Sequence, residues 1–200
     1  MHCPHRILPD AFDAAFASRL LSYAIDNEQR FEVSRIKRSG EGIINPAARI
    51  SRLLRDLGAL KQDIRARLLD LAPVLMKQLG MTAFTVARAE VELVAHGDGA
   101  FYRPHVDTAL DERNDDTVRL LSAVYYFHVE PRRYSGGALR LHAMGTDGTS
   151  GQYVDIEPQH NSLVYFPSWA LHEVLPVRCP SRSFADSRFA INCWLLRTRA

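Results

Sequence analysis

Two histidines and one aspartate carry the chemistry that this sequence suggests most directly. His105 and Asp107 stand two positions apart, and His172 follows far downstream. Residues two apart on a strand point to the same face of a sheet, so one strand could present His105 and Asp107 to a single ion. A close pair with a distant histidine is the spacing from which a strand-built barrel makes a facial iron(II) site with open coordination positions. We therefore expect an enzyme whose metal binds a cosubstrate and oxygen together.

A predicted strand near the end of the chain suggests an anion site beside that metal. Its alternation places four residues on one face, namely Arg188, Ala190, Asn192 and Trp194. No acidic residue shares that face, although a buried arginine is costly unless an anion meets it. Because the planar guanidinium suits a carboxylate, we expect Arg188 to capture an anionic ligand. The alternative is an arginine that heads an edge strand and points to solvent.

The second half of the chain resembles the 2-oxoglutarate- and Fe(II)-dependent oxygenases of the prolyl-hydroxylase type. The segments that carry the resemblance follow the family's order: VAHGDGAFYRPHVD (94–107), LSAVYYF (121–127), SGGALRL (135–141), DIEP (155–158), HEV (172–174) and RFAI (188–191). The resemblance covers about half of the chain, and the combination is far more specific than any one segment.

The resemblance implies a fold and a domain organisation. The fold class is α+β and mainly β, with a double-stranded β-helix core of the jelly-roll or cupin-like kind, buttressed by N-terminal helices. We expect one oxygenase domain over residues 1–200, in which residues 1–80 form the helical support and residues 81–200 form the core with the metal site.

The resemblance also assigns roles to individual side chains. It implies that His105, Asp107 and His172 bind iron, and that Arg188 binds the distal carboxylate of 2-oxoglutarate. Tyr126 would hydrogen-bond the same carboxylate; the alternative is a core tyrosine whose hydroxyl reaches the surface.

Four further residues are candidates for the pocket wall or for the support of the ligands: Tyr102, Ser122, Asn192 and Trp194. Simple packing is the alternative for Asn192 and Trp194. The polar segment 108–117, directly after Asp107, is predicted to be a lid or wall of the pocket. Its acidic residues could orient a basic substrate, or it could be a solvated loop.

The chain departs from the family pattern in two places. A tyrosine often follows the first core strand in the family, where this chain has Ala95 and His96. The anion-binding residue of the family commonly stands closer to the distal histidine than Arg188 does, which makes Arg182 a rival anchor. We favour Arg188 because it opens a predicted strand, whereas Arg182 lies among Pro and Ser in a predicted loop.

Composition bounds the setting. Two hundred residues suit one domain with a sizeable core. A formal net charge of +2 and the lack of a basic, aromatic-rich stripe predict no nucleic-acid partner. The sequence shows neither an apolar leader nor the roughly 20 apolar residues of a membrane span, so no membrane partner is expected. With three cysteines in no framework spacing, we expect a cytoplasmic protein; the sequence does not predict the oligomeric state.

Periodicity predicts the elements that position these residues. Asp10 could cap a first helix, and a leucine-rich stripe predicts a second helix that Pro73 should kink or split and Gly80 should end. A further edge strand is expected over 32–38. The remaining strands are predicted at 82–87, 90–95, 100–106, 118–129, 138–142, 152–156, 162–166, 170–176 and 188–196.

The function implied is hydroxylation of a substrate C–H bond, with decarboxylation of 2-oxoglutarate to succinate. Iron(II), 2-oxoglutarate and dioxygen are the expected cofactors and cosubstrates, and ascorbate is a further candidate. A protein or peptide substrate of the prolyl type is favoured. One alternative is hydroxylation of a small molecule or free amino acid by the same chemistry; another is a non-catalytic, cupin-like metal-binding protein.

Overall fold

The computed structural model describes residues 3–38, 41–108, 116–143 and 151–199. The helices are α1 (Ala14–Asp26) and α2 (Leu60–Gln78), with short 3₁₀ turns at Glu28–Arg30 and Phe184–Asp186. The strands are β1 (Arg6–Leu8), β2 (Glu32–Val33), β3 (Ile36–Arg38), β4 (Glu41–Ile43), β5 (Arg49–Ile50), β6 (Arg52–Leu54), β7 (Arg88–His96), β8 (Phe101–His105), β9 (Thr117–Phe127), β10 (Ser135–Gly136), β11 (Leu139–His142), β12 (Tyr153–Ile156), β13 (Ser162–Pro167), β14 (His172–Val174), β15 (Val177–Arg178) and β16 (Arg188–Thr198).

Two antiparallel sheets face each other and form the double-stranded β-helix core. The large sheet has the order β1-β13-β9-β16-β7-β6-β2, and the smaller one has the order β12-β11-β14-β8-β5. Apolar side chains from both sheets meet in one cluster, in which Tyr126, Phe166 and Ala190 of the large sheet pack with Leu139 and Leu141 of the small one. The predicted fold class, mainly β with helices against one sheet, is confirmed.

The strand β16 shows how the sequence separates the two layers. Phe189, Ile191 and Cys193 point to the helix-covered side and join the larger apolar cluster with residues of α1 and α2. Arg188 and Asn192 point the other way, into a cavity between the sheets. The alternation read from the sequence is confirmed, because successive side chains of a strand lie on opposite faces.

Both predicted helices form, with corrections at the N-cap of α1 and at Pro73, and with the predicted end at Gly80 confirmed. The cap of α1 is Asp13, whose Oδ1 accepts a hydrogen bond of 2.8 Å from the Phe16 amide, and Asp10 instead adopts a φ of 47° outside the helix. The helix α2 continues through Pro73 without splitting and ends before Gly80, which has the left-handed φ of 66°. Pro73 lies on the solvent side of α2, where water can bond the carbonyl that a proline leaves unpaired.

The strand predictions were wrong in the connecting regions. Residues 82–87 form no strand, and the edge strand expected over 32–38 is split into β2 and β3. The N-terminal region is not only helical, because β1, β2 and β6 extend the large sheet and β5 extends the small one. Strands of two or three residues are too short to show a period of two, so periodicity could not find them. The domain boundaries given above stay a prediction.

The structure bears on two of the predictions from composition. Within the described ranges, no helix is both long and apolar enough to span a lipid bilayer. Cys3, Cys179 and Cys193 are all buried and free. The cytoplasmic location stays a prediction.

Adjacent leucines of α2 provide a test of how the helix layer is held. Leu68 is 1% exposed within the larger apolar cluster, whereas Leu69 is 46% exposed. We expect Leu68→Ala to lower the free energy of unfolding by about 2–5 kcal/mol, because it leaves a cavity against the sheet. Leu69→Ala should change that free energy by less than about 0.5 kcal/mol. Urea denaturation measures both, and similar losses in the two variants would contradict this packing.

Candidate metal centre

The three residues of the predicted metal site lie together on the small sheet. His105 of β8 and His172 of β14 are direct partners across the strand pair, and Asp107 follows β8 by two residues. One ligand atom from each residue lies within 4.8 Å of the others. The Nε2 atoms of His105 and His172 stand 3.8 and 3.5 Å from the Asp107 carboxylate oxygens. The strand pairing therefore brings the distant histidine to the close pair, as its spacing required.

Backbone carbonyls set the tautomer of both histidines. The Nδ1 of His105 lies 2.9 Å from the carbonyl oxygen of Arg103, and the Nδ1 of His172 lies 2.9 Å from that of Ala170. A carbonyl only accepts, so each Nδ1 must carry the hydrogen. Each Nε2 then keeps its lone pair and points toward Asp107. This is the arrangement in which proteins orient histidine ligands for a metal.

The charge state of the cluster also suits a cation. Burial, together with the neighbouring His172, lowers the pKa of His105 to about 3, so its imidazole is neutral near pH 7. Burial alone would raise the pKa of Asp107. The neighbouring histidines and hydrogen bonds from Ser122 and Trp194 outweigh that effect and hold this pKa below its usual value. A neutral imidazole beside an ionised carboxylate is a donor set for a divalent transition metal.

A pair of serines holds the Asp107 carboxylate in place. The Ser122 hydroxyl donates to Oδ2 of Asp107 over 2.7 Å and lies 2.9 Å from the Ser168 hydroxyl. Because the Ser122 hydrogen is used on the carboxylate, Ser168 must donate to Ser122. The carbonyl of Ser168 also accepts from the Asp107 amide at 2.9 Å. Sequence reasoning found Ser122 from its position on the inward face but missed Ser168, whose role depends on the turn before β14.

A cavity of about 410 Å³ opens beside the metal cluster, between the two sheets. Nine of the ten predicted site residues line it, namely Tyr102, His105, Asp107, Ser122, Tyr126, His172, Arg188, Asn192 and Trp194. Arg182 does not; its side chain is 82% exposed and lies 3.5 Å from Asp98. Of the predicted lid over 108–117, residues 109–115 lie outside the described residues.

The far end of the cavity holds a buried cation with unused hydrogen-bond donors. Arg188 is 1% exposed, and its Nη1 lies 3.2 Å from Nδ1 of His96. Among the described residues, Nε and Nη2 of Arg188 and the hydroxyl of Tyr126 have no hydrogen-bond partner. The guanidinium lies 4.7 Å from the centre of the Tyr126 ring. Because unsatisfied buried donors are costly, this end of the cavity fits an anion such as a carboxylate. The Tyr126 hydroxyl is buried and does not reach the surface.

Gly137 makes room for this arginine. Its φ is +71°, and a Cβ there would stand 2.7 Å from Cδ of Arg188 and 2.8 Å from Cγ2 of Val177. Any side chain at this position would therefore push Arg188 out of its place. Gly136 beside it also has a positive φ, of +69°, so both residues adopt a backbone conformation that favours glycine.

Two further residues near the site carried no signal in the sequence. Arg49, on the two-residue strand β5, lies with its guanidinium carbon 4.7 Å over the Tyr102 ring, which in turn stacks at 3.6 Å on His105. The buried hydroxyl of Tyr134 lacks a partner among the described residues. Tyr134 packs with Val177, which lies next to Gly137 and Arg188. Only the strand pairing and the packing reveal these positions.

Comparison with known proteins places this site in a family. Residues 91–196, more than half of the chain, match the model of the 2OG-Fe(II) oxygenase superfamily. The chain belongs to this superfamily. The matched residues contain both histidines, the aspartate and Arg188. The donor set and the unpaired donors around Arg188 thus fit iron(II) and the carboxylate of 2-oxoglutarate.

Relatives of this oxygenase include proteins named as hydroxylases. It is 35% identical over 181 residues to an uncharacterized PKHD-type hydroxylase of Synechocystis, covering 88% of this chain and 58% of the relative. It is 34% identical over 87 residues to a PKHD-type hydroxylase of Shewanella, covering 44% of this chain and 36% of that protein. The chain thus spans less than two thirds of the length of either relative.

Solved structures share the fold of this chain. A Pseudomonas putida prolyl-4-hydroxylase superposes with a TM-score of 0.69 at 23% identity, covering 99% of this chain and 94% of that one. A Trichoplax adhaerens prolyl hydroxylase, solved with a peptide fragment of the hypoxia inducible factor oxygen degradation domain, gives 0.67 at 18% identity, with 96% and 83% covered. At these identities the likeness establishes the double-stranded β-helix fold.

Two glycines of similar φ test how tightly Arg188 is held in this oxygenase. Gly137→Ala adds a Cβ that meets Arg188, whereas Gly99→Ala, at a φ of +73°, meets nothing within 4 Å. Both variants should lose about 1–2 kcal/mol of unfolding free energy to left-handed strain. Gly137→Ala should lose about 1–3 kcal/mol more through overpacking. Urea denaturation measures the difference, and equal losses would show that Arg188 has room to move.

Proposed function

We propose that this oxygenase is an Fe(II)- and 2-oxoglutarate-dependent dioxygenase that hydroxylates a C–H bond of its substrate. Dioxygen and 2-oxoglutarate are consumed, one oxygen atom enters the substrate, and succinate and carbon dioxide leave. The observation that carries the proposal is the pairing of two sites in one cavity. A neutral histidine and carboxylate cluster lies on one wall, and a buried arginine with two unpaired nitrogens lies on the other.

In this proposal three side chains hold the metal and two hold the cosubstrate. His105 and His172 would bind iron(II) through Nε2, and Asp107 through a carboxylate oxygen. Arg188 and Tyr126 would bind the distal carboxylate of 2-oxoglutarate with donors that are otherwise unpaired. The iron and 2-oxoglutarate supply the oxidising chemistry when bound, while the protein supplies position and a water-poor cavity.

The other predicted wall residues act through these groups. Ser122 and Trp194 donate hydrogen bonds to Asp107 and keep its carboxylate ionised and oriented. Tyr102 stacks at 3.6 Å on the ring of His105 and limits its rotation. Asn192 lines the cavity on the same face of β16 as Arg188 and Trp194, where it would contact the substrate or the cosubstrate. Ascorbate, as a reductant of inactivated iron, stays part of the proposal.

We further propose a peptide or protein substrate with a prolyl target. The Trichoplax structure, a prolyl hydroxylase solved with a peptide, and the names of the curated relatives support this choice. A small-molecule or free amino-acid substrate remains the alternative. A non-catalytic, cupin-like metal protein is disfavoured, because such a protein has no use for a buried arginine with unpaired donors. One domain over residues 1–200 and a cytoplasmic location also belong to the proposal.

Turnover assays test the proposed reaction. The iron(II)-loaded protein is incubated in air with 2-oxoglutarate and proline-containing peptides, and succinate and peptide mass are followed. The proposal expects succinate formation that depends on iron and 2-oxoglutarate, with one oxygen atom added to a proline. Succinate with hydroxylated free proline but unmodified peptides would favour the small-molecule alternative. No succinate from protein that contains iron would refute the enzyme assignment.

The metal ligands are tested by their loss. We expect His105→Ala and Asp107→Ala to abolish stoichiometric iron(II) binding, because two donors cannot replace the facial set. His142→Ala should retain full binding, since His142 bonds to Glu173 outside the cavity. Metal content after desalting gives the result. Circular dichroism should show an intact fold in all three variants, because a chain of about 200 residues buries a core without a metal. An iron-replete Asp107→Ala protein would disprove the ligand assignment.

The anion anchor is tested by comparing two arginines. Arg188→Ala should raise the Kd of 2-oxoglutarate by roughly 30-fold or more, because it removes a buried charged partner. Arg182→Ala should change that Kd by less than about twofold, since an exposed pair contributes little. Anaerobic calorimetry of the iron-loaded protein measures both. The reverse ranking would move the anchor to the loop around Arg182.

A further inference from the structure

Among its described residues, the lining of the cavity has more arginines than carboxylates. Its described lining has six arginines, namely Arg35, Arg49, Arg55, Arg119, Arg188 and Arg199, against three carboxylates, namely Glu90, Glu92 and Asp107. In the proposed function, iron(II) and the dianion of 2-oxoglutarate have opposite charges that cancel. Even with Arg199 left aside, the described lining keeps two more arginines than carboxylates in the loaded enzyme, and these cations face an entering substrate.

The carboxylates of the mouth are already engaged. Glu90 accepts from Arg119 at 2.6 and 2.9 Å and pairs with Arg88 at 2.9 Å. Glu92 pairs with Arg55 at 3.1 Å. With Asp107 committed to the metal cluster, no carboxylate of the described lining is left for Arg35 and Arg49.

Arg49 is linked to the metal cluster through one aromatic ring, that of Tyr102. Its strand pairs with β8, so that Arg49 and Tyr102 are direct partners. Its guanidinium carbon lies 4.7 Å over the Tyr102 ring, and that ring stacks on His105. Only the Tyr102 ring would therefore separate a group bound by Arg49 from the candidate metal ligand His105.

The guanidinium of Arg49 is held in one orientation, but no carboxylate among the described residues pairs with it. Its Nε donates to the Ser51 hydroxyl over 2.8 Å, and that hydroxyl donates to Ser34 over 2.8 Å. Both serines are buried, so this relay sets the direction of the guanidinium. Arg49 also interacts with the Tyr102 hydroxyl, but its terminal nitrogens reach no carboxylate or carbonyl oxygen among the described residues, and Arg49 lines the cavity. Arg35, at the outer mouth, likewise has no carboxylate partner in the described ranges and donates only to the carbonyl of Gly42.

We propose that this enzyme selects an acidic peptide, and that Arg49 binds a carboxylate side chain adjacent to the residue that is hydroxylated. This inference rests on the proposed function and names its substrate class. A preoriented guanidinium binds a carboxylate through two parallel hydrogen bonds. The surrounding cations raise the rate at which an acidic segment reaches the cavity. Arg49 is thus a specificity residue for the peptide rather than an anchor of the cosubstrate.

Matched peptides test the charge preference. The probes are fluorescein-labelled Ala-Glu-Pro-Glu-Ala and its Gln and Lys counterparts, with binding to the iron- and 2-oxoglutarate-loaded protein followed anaerobically by fluorescence anisotropy. We expect the Glu peptide to bind about 10-fold or more tightly than the Gln peptide, with the Lys peptide weakest and with the preference reduced by added salt. Equal binding of the Glu and Gln peptides would overturn the inference, and so would free glutamate competing as well as the peptide.

Three variants locate the preference. Arg49→Gln should reduce Glu-peptide binding to the level of the Gln peptide, and Arg49→Lys should restore part of it because Lys keeps the charge without the fork. Arg133→Gln, at an exposed site outside the cavity, should leave the preference intact. If Arg49→Gln keeps the Glu preference and instead raises the Kd of 2-oxoglutarate, Arg49 is a cosubstrate anchor and the inference is overturned.

Calorimetry of 2-oxoglutarate binding, carried out in parallel, distinguishes a failure of the acidic-peptide inference from a failure of the proposed function. Normal 2-oxoglutarate binding without any charge preference would overturn the acidic-peptide inference alone. Failure of the wild-type protein to bind 2-oxoglutarate would refute the proposed function itself.

Discussion

Arg188 is buried without an acidic partner among the described residues, and the rest of the site depends on this constraint. A guanidinium inside the barrel is tolerable only if its donors are met, and the protein meets one of them with His96. Gly137 gives up a side chain so that the arginine fits, and β16 carries it at the centre of the large sheet. The fold thus maintains a cationic pocket whose remaining donors fit an anion.

Each sheet contributes a different set of residues to the site. The candidate metal ligands come from β8, β14 and the turn after β8, which belong to the small sheet. Arg188 and Tyr126 come from β16 and β9 of the large sheet. A cosubstrate with a chelating end and a carboxylate end would bridge the two sheets across the cavity. The α2 layer behind the large sheet then contributes indirectly, because it fixes the plane from which Arg188 projects.

Sequence reasoning reached those parts of the molecule that local patterns determine. The alternation along β16 separated Arg188 and Asn192 from Phe189 and Ile191, and the two-residue spacing put His105 and Asp107 on one side of a cluster. We preferred Arg188 to Arg182 because Arg188 opens a predicted strand and Arg182 lies in a predicted loop. In the structure Arg188 is buried and Arg182 is exposed. Patterns could not find β5 or Arg49, because a two-residue strand is defined only by its partner. The N-cap moved from Asp10 to Asp13 because the backbone between them, with Asp10 at a left-handed φ, is set by tertiary contacts.

We expect one cavity to hold iron(II) and 2-oxoglutarate together, with the cosubstrate chelating the metal. Anaerobic titration of the iron(II)-loaded protein with 2-oxoglutarate, followed by visible absorption, tests it most directly. If 2-oxoglutarate chelates the iron, a weak metal-to-ligand charge-transfer band appears and saturates at one equivalent of cosubstrate per bound iron. Bound iron without such a band at any 2-oxoglutarate concentration would contradict it and would leave a metal-binding barrel without its cosubstrate.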